Sequence, residues 1–263
     1  MSAKFPSLSV FFPAYNDAPS LPALLETAFA TLRQHVENFE VIVVNDGSRD
    51  PTAQVLERLR QRFGPALRIV THDVNRGYGA ALRSGFQAAG KEYVFYTDGD
   101  GQYDVSELPA LLARVQPGVG LVNGYKLRRR DPLHRIWIGS VYNSFARALF
   151  GIRIRDIDCD YRIIRRSLLE NIRLTSTSGT ICLELVRKLE MSGCEIAEVG
   201  VSHYPRLHGR SQFFRVRSLC STFAQILRLY LRLVILPALS DWSRAILPKN
   251  RDSLTYPGFR KPG

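Results

Sequence analysis

Apolar residues in this chain fall into two kinds of segment that alternate. Short runs of β-branched and aromatic residues, Leu8 to Pro13, Phe39 to Val44, Leu67 to Thr71 and Tyr93 to Thr97, read as strands. Between them, Leu21 to Leu32, Thr52 to Phe63 and Ala80 to Ala89 carry apolar positions three and four apart, the spacing of a helix face. Pro22 suits the first turn of the first of these helices, where its missing N–H costs nothing. Strands alternating with helices on short connections predict an α/β fold, a mostly parallel sheet with helices on both faces. In such a sheet the functional loops gather at the carboxyl ends of the strands. Each predicted strand ends on polar or glycine-rich residues, as that placement requires.

The densest chemistry is at the end of the fourth strand. Tyr93-Val-Phe-Tyr-Thr stops on Asp98-Gly99-Asp100-Gly101-Gln102, two carboxylates held one residue apart. Hard oxygen donors of this kind suit Mg²⁺ or Mn²⁺, with Asp98, Asp100 and Gln102 as the candidate ligands and a diphosphate held in turn by the metal. Gly99 and Gly101 would let a ligand approach the backbone. A strand-ending turn uses the same residue types, so the motif needs its neighbours before it can be interpreted.

Composition narrows the partners. The 263 residues are 45% hydrophobic, enough for a sizeable core, and the formal net charge is +12. That balance predicts anionic partners: nucleic acid, phosphorylated small molecules or an acidic membrane surface. The basic residues cluster beside carboxylates and do not interleave with aromatics on a strand, which argues against nucleic acid. Cys159, Cys182, Cys194 and Cys220 lack metal-ligand or disulfide-framework spacing and are expected as reduced thiols in a cytosolic protein. No leader-like segment and no stretch of about 18 uninterrupted apolar residues is seen, so no spanning helix is expected.

Taken in order, Phe12-Pro13-Ala14-Tyr15-Asn16-Asp17, Val44-Asn45-Asp46-Gly47-Ser48, Asn75-Arg76-Gly77-Tyr78-Gly79-Ala80-Ala81 and Asp98-Gly99-Asp100-Gly101-Gln102 resemble the successive motifs of family 2 glycosyltransferases. His203-Tyr204-Pro205-Arg206-Leu207-His208-Gly209-Arg210-Ser211 is similar to the closing motif of the dolichyl-phosphate mannose synthase branch, a polyprenyl-phosphate glycosyltransferase group. The resemblance covers roughly residues 7 to 213 and implies the GT-A nucleotide-diphospho-sugar-binding fold, with Mg²⁺ or Mn²⁺ as cofactor. It implies that Pro13, Tyr15 and Asp17 contact base and ribose, with Asp17 standing where the family often has Glu. It further implies that Asp46 accepts a hydrogen bond from the base, that Asn75 and Gly77 floor the nucleotide, and that Asp98 and Gly99 lie against the donor. Asp98, Asp100 and Gln102 would hold the metal. On the acceptor side it implies Lys126, Arg206 and Ser211, with Arg206 in a loop that folds over the diphosphate; Arg135 and Ser140 are candidate acceptor contacts because their basic segment lies beside the predicted site, where a charge run can equally be solvated surface. Lys126 stands where the phosphate-acceptor branch usually has Arg, and Gln212 replaces a frequent Lys.

Between these motifs, Leu121 to Lys126 reads as a strand, followed by a basic loop through Arg128, Arg129, Arg130, His134 and Arg135. A helix follows whose apolar face is expected to be Ile138, Val141, Tyr142, Phe145, Ala148 and Leu149, with Ser140, Asn143, Ser144 and Arg147 opposite. Asp158 and Asp160 are extra carboxylates: a base for transfer to a hydroxyl, or mere partners of Arg153, Arg155 and Arg162. An anionic phosphate acceptor needs no base, and the sequence leaves both readings open. Glu184, on a predicted helix Thr180 to Leu189, is expected to support the acceptor loop and take no part in the chemistry.

Val216 to Leu236 has a broad apolar face and an arginine stripe, the pattern of a helix lying in a headgroup plane or, equally, docked on a core. The resulting expectation is a catalytic domain over 1–212, an interfacial helix over 213–240 and a basic disordered tail over 241–263. The enzyme would be an inverting, metal-dependent transferase at the cytoplasmic face of a membrane, moving sugar from a nucleotide donor to a lipid-linked acceptor. Its rivals are transfer to a hydroxyl with Asp158 or Asp160 as base, and, more distantly, a sugar nucleotidyltransferase. The oligomeric state is open.

Overall fold

A computed structural model of the 263-residue chain describes residues 3–129, 133–205 and 224–237. Its order is β1 (Phe5–Ala14), α1 (Leu21–His35), β2 (Val36–Asn45), α2 (Thr52–Phe63), β3 (Leu67–Thr71), α3 (Tyr78–Ala88) and β4 (Tyr93–Thr97). There follow α4 (Leu108–Leu112), β5 (Val119–Arg129), α5 (Leu133–Phe150), β6 (Tyr161–Arg165), α6 (Arg166–Glu170), α7 (Thr180–Met191) and β7 (Glu195–His203). A last helical stretch, α8, is described over 224–237 and contains a π-turn at Leu231–Ile235.

The seven strands form one sheet in the order β3-β2-β1-β4-β6-β5-β7. β1 pairs in parallel with β2 and β4, β2 with β3, and β5 with β7. β6 runs against both its neighbours, pairing Tyr96 with Arg162 and Thr97 with Tyr161. The sheet is therefore GT-A-like and mixed. Being reversed, β6 brings the loop that precedes it, residues 156–160, to the edge where β4 and β5 end.

Two apolar layers hold the sheet. One packs Val10, Phe12, Val41, Val43 and Phe95 against α1, α2 and α4; the other packs Phe11, Ile42, Val94, Tyr96 and Leu121 against α3 and α7. Alternate strand residues go to opposite faces, and both faces are apolar because both are covered. Burial of the whole of β4 follows from its place in the middle of the sheet.

Two expectations shift. On α5 the buried residues are Ala146 and Phe150, with Tyr142 and Leu149 packed beside them, while Val141 and Phe145 are about half exposed and Ala148 faces solvent. The expected apolar face is thus rotated, because a helix with apolar residues over more than half its circumference does not disclose which of them meets the core. The described part of α8 is docked: Ile226, Leu229 and Leu233 are buried with Phe150, Ile157 and Val186. Gln225, a polar residue of the same helix, accepts hydrogen bonds from Ser178 and Thr180. Residues 213–223 and the tail 241–263 lie outside the described residues.

Candidate active site

Three strand ends meet at one point. Gly99 N–H donates to the carbonyl of Pro13 at 3.1 Å and Asp46 N–H to that of Ala14 at 2.9 Å, locking the ends of β4 and β2 to that of β1. The first loop is fastened to the second: Asn16 N–H donates to Ser48 Oγ, Ala18 N–H to Asp50, and the Asn16 carboxamide oxygen accepts from Arg49 and Asp50 N–H. Asn16 takes φ 58°, a left-handed conformation that Asn tolerates. Asp17 accepts from Tyr15 N–H at 2.9 Å, shaping the loop expected to wrap a nucleoside.

Asp46 is buried, 3% exposed, and its carboxylate receives three hydrogen bonds: His72 Nδ1 at 2.6 Å, Arg76 N–H at 2.9 Å and Gly77 N–H at 2.9 Å. The Asn75 to Gly79 loop is in this way folded onto the end of β2. Gly47, at φ 64°, admits no Cβ, which would meet the Val74 carbonyl carbon at 2.3 Å. Behind the loop, Gly79 N–H donates to Thr177 O at 3.0 Å, and a Cβ there would meet Ser176 O at 2.3 Å. Glu184 anchors that backing segment through Thr175 and Ser176 N–H and Lys188. Burial alone would raise its carboxyl, but these donors pull it down to about 2. Glu184, expected to support the acceptor loop, instead holds the segment that backs the Asn75 to Gly79 loop.

Asp98 accepts from the Tyr78 hydroxyl at 2.7 Å, and Asp100, 5% exposed, accepts from Gln102 N–H at 3.0 Å. Burial, then the Asp160 and Asp98 charges, push the Tyr78 hydroxyl far above its ordinary pKa, so it stays a donor. Gln102 binds the closing segment: its Nε2 donates to Tyr204 O at 3.0 Å and its carbonyl accepts from Tyr204 N–H at 2.8 Å. Among the described residues no group of three or more His, Cys, Asp or Glu side chains could by itself hold a metal ion. The donor set fits a divalent cation held by one or two carboxylates and completed by phosphate oxygens.

Across β6 lies the second half of the site. Asp160 binds Arg162 at 2.9 Å and accepts from Cys182 Sγ at 3.0 Å. Arg162 is fully buried and also donates to Asn123, Tyr96 and the Ile157 carbonyl. Among the described residues Asp158 has no such partner; burial, opposed by Lys126 and reinforced by Asp156 and Asp160, raises its carboxyl to about 6. Lys126 donates to the Asp158 carbonyl at 2.6 Å and stands 3.6 Å from Asp156. Together with Tyr125, Ser140, Asn143, Ser144, Arg155 and Asp156 it lines a polar cavity of about 240 Å³. A larger groove, about 860 Å³, runs between α2 and β3 and includes none of the residues singled out by the sequence.

The residues singled out by the sequence thus form two groups, Pro13, Tyr15, Asp17, Asp46, Asn75, Gly77, Asp98, Gly99, Asp100 and Gln102 on one side, Lys126, Ser140, Asp158 and Asp160 on the other. Arg206 and Ser211 lie outside the described residues, as does the side chain of Arg135. His72, Tyr78 and Asn123 were not anticipated; Arg162 pairs with Asp160, one of the two roles the sequence leaves open for that carboxylate. A signal existed for His72, a polar residue just past the end of β3.

A family model, glycosyl transferase family 2, matches residues 9–173. The chain belongs to that family. Among curated family 2 relatives, the undecaprenyl-phosphate 4-deoxy-4-formamido-L-arabinose transferase of Pseudomonas paraeruginosa is 32% identical over 212 residues, 81% of this chain and 62% of the relative. The protein of the same name from Pseudomonas fluorescens is 30% identical over 213 residues, 80% of this chain and 61% of the relative. The chain therefore spans about three fifths of the length of these relatives. Among solved structures, glucosyl-3-phosphoglycerate synthase of Mycobacterium tuberculosis with Mn²⁺, UDP and glucosyl-3-phosphoglycerate superposes with a TM-score of 0.65 at 18% identity. The match covers 86% of this chain and 79% of that one, a likeness of fold.

Proposed function

We propose that this family 2 chain is a metal-dependent, inverting glycosyltransferase that moves a sugar from a nucleotide diphosphate to a lipid-linked acceptor, polyprenyl phosphate. The observation that carries the reading is the juxtaposition across the β4–β6 ladder. Thr97 pairs with Tyr161, so Asp98 and Asp160 follow at adjoining strand ends, with the lined cavity of Lys126 and Ser140 beyond. Donor chemistry and an anion-accepting cavity then adjoin. The names of the curated relatives support polyprenyl phosphate as the acceptor class and do not single out the dolichyl-phosphate mannose branch.

In this reading Pro13, Tyr15, Asp17, Asp46, Asn75 and Gly77 hold the nucleoside, and Asp98, Asp100 and the side-chain oxygen of Gln102, whose main-chain carbonyl already accepts from Tyr204, would hold Mg²⁺ or Mn²⁺. The cation, when bound, neutralises charge on the departing diphosphate. Gly99, expected to clear space for the donor, is required instead by packing: a Cβ there would meet the Pro13 carbonyl oxygen at 2.8 Å, so the end of β1 takes that space. Lys126, Arg135, Ser140, Arg206 and Ser211 orient the acceptor phosphate, one oxygen of which attacks the anomeric carbon. The bond from that carbon to the diphosphate breaks, and its electron pair leaves with the nucleoside diphosphate. No proton has to be removed from an anionic acceptor.

A second reading, transfer to a hydroxyl, is favoured by one feature: the Asp158 carboxyl, raised to about 6, falls in the range of a general base. Asp160 is the weaker candidate because Arg162 already claims it.

Exposed Trp137, Val141 and Phe145, one helical turn apart on α5, with Leu227 and Leu231 on α8, support a peripheral position on an anionic cytoplasmic leaflet. No described helix is long and apolar enough to cross a membrane. The decisive assay incubates purified protein with Mn²⁺, UDP- or GDP-sugars and a short polyprenyl phosphate. Turnover that Asp100→Ala abolishes is expected. No hydrolysis or transfer from any nucleotide sugar, with nucleotide binding unchanged in Asp100→Ala, would overturn the reading.

A further inference from the structure

The Asp46 carboxylate is held by donors from two elements, and one of them has no part in the function proposed above. His72, at the end of β3, is 5% exposed. Its Nδ1 lies 2.6 Å from Asp46 Oδ1 and its Nε2 lies 2.8 Å from Ser84 Oγ on α3. A carboxylate only accepts, so Nδ1 carries a proton toward Asp46, while Nε2 faces the Ser84 hydroxyl. The ring thus bridges α3 to the end of β2.

An ionised carboxylate has about four lone-pair sites. On Asp46, Oδ1 is filled by His72 and the Arg76 N–H, and Oδ2 has taken the Gly77 N–H. About one acceptor position is left. Uracil matches it: a single ring N–H flanked by two carbonyl groups. Guanine offers two neighbouring donors, the ring N–H and the exocyclic amine, and Asp46 would leave the second unmet, a loss read as roughly tenfold in affinity. Cytosine and adenine offer a donor only on the exocyclic amine, beside an unprotonated ring nitrogen that the carboxylate repels.

From this count we infer that His72 is a positioning residue for the base: by filling Oδ1 it sets Asp46 to read uracil, making the donor a uridine diphosphate sugar. The inference rests on the nucleotide-sugar reading. Without the His72 proton a second acceptor position opens, and a base with two donors gains what uracil loses.

Histidine can be replaced so that the two contacts separate. His72→Asn can put an amide N–H close to Nδ1 and keep the bond to Asp46; His72→Gln can reach the Nε2 position and Ser84 but leaves Oδ1 unfilled. Calorimetric titration of the full chain with UDP, GDP and CDP in the presence of Mn²⁺ is the test, with circular dichroism melts to check folding. The wild type should bind UDP at least tenfold more tightly than GDP or CDP. His72→Gln should lower the UDP to GDP ratio at least fivefold while His72→Asn holds it within twofold. Ser84→Ala, the milder change should either His72 variant fail to fold, should lower it about twofold to threefold.

GDP binding as tightly as UDP in the wild type overturns the inference. So does an unchanged ratio in His72→Gln, or in Ser84→Ala where that variant alone is measurable. Binding of no nucleotide at all overturns the nucleotide-sugar reading itself, and that outcome is distinct because it appears in the wild type.

Discussion

Replacing Asp158 by Asn tests both the electrostatics of the acceptor loop and the chemistry assigned to it. The folded protein raises this carboxyl from an ordinary 3.8 to about 6. At about 1.4 kcal/mol per pH unit, ionising Asp158 costs the folded state roughly 3 kcal/mol more than the unfolded chain, with the attraction of Lys126 already included. Well below its ordinary pKa of 3.8 the group is neutral in both states and costs nothing. As the pH rises from about 4 to 6 the unfolded chain releases its proton first, stability falls, and above pH 6 the whole penalty is present. Asp158→Asn should therefore stabilise the protein by about 2–3 kcal/mol at pH 7.5 and by only about 1 kcal/mol at pH 4.5. For a chain of this size the larger figure corresponds to a rise in Tm of roughly 4–12 °C. Thermal unfolding of both proteins at the two pH values measures it. A variant less stable than wild type at pH 7.5, or a gain independent of pH, refutes the reasoning. In the same samples turnover should stay within about fivefold if the acceptor is a phosphate. A loss of about a hundredfold or more would assign Asp158 as base and favour a hydroxyl acceptor.

Three further outcomes are expected. Tyr78→Phe removes the donor on Asp98 and should weaken UDP binding in Mn²⁺ roughly tenfold, with stability lowered by about 1 kcal/mol; unchanged binding by calorimetry would show that Asp98 needs no such orientation. Arg162→Met strands Asp160 and the Tyr96 hydroxyl beside a buried gap and should cost about 3–5 kcal/mol in urea unfolding; a cost below about 1 kcal/mol would contradict the network described. Substituting Trp137 and Phe145 together by Glu should cut sedimentation with vesicles containing anionic lipid at least fivefold while leaving the melting temperature within about 2 °C; undiminished sedimentation would place the membrane contact elsewhere.

The first four strands and three helices were legible because each carries a clean period, and the structure reproduces them with small changes at their ends. β2 begins at Val36, earlier than expected, since Glu37 and Asn38 lie on an exposed extension that no apolar pattern marks. α3 opens at Tyr78, two residues sooner, with Gly77 at φ 90° as its cap. Harder to foresee was the direction of β6. Its five residues look the same read either way, and only the length of the loops on both sides fixes which way it runs. The carboxylates of the donor side were readable from their motifs, whereas His72 and Tyr78 act through partners twenty or more residues away. Such long-range pairs leave no local trace. α8 shows the same limit: its periodicity told of an apolar face, and the hydrogen bonds of Gln225 to Ser178 and Thr180 decided what that face covers.

The reversed strand has a consequence for how such a protein can vary. Residues 5–104 carry the nucleoside and metal contacts expected of the donor side, and residues 119–203 build the cavity beyond it; five residue pairs between β4 and β6 are the seam that joins the two in the sheet. A new pocket could be fitted to one side without redrawing the other. A slip of that seam by two residues would instead move every group on one bank along the other by about 7 Å, more than two bond-forming partners can tolerate.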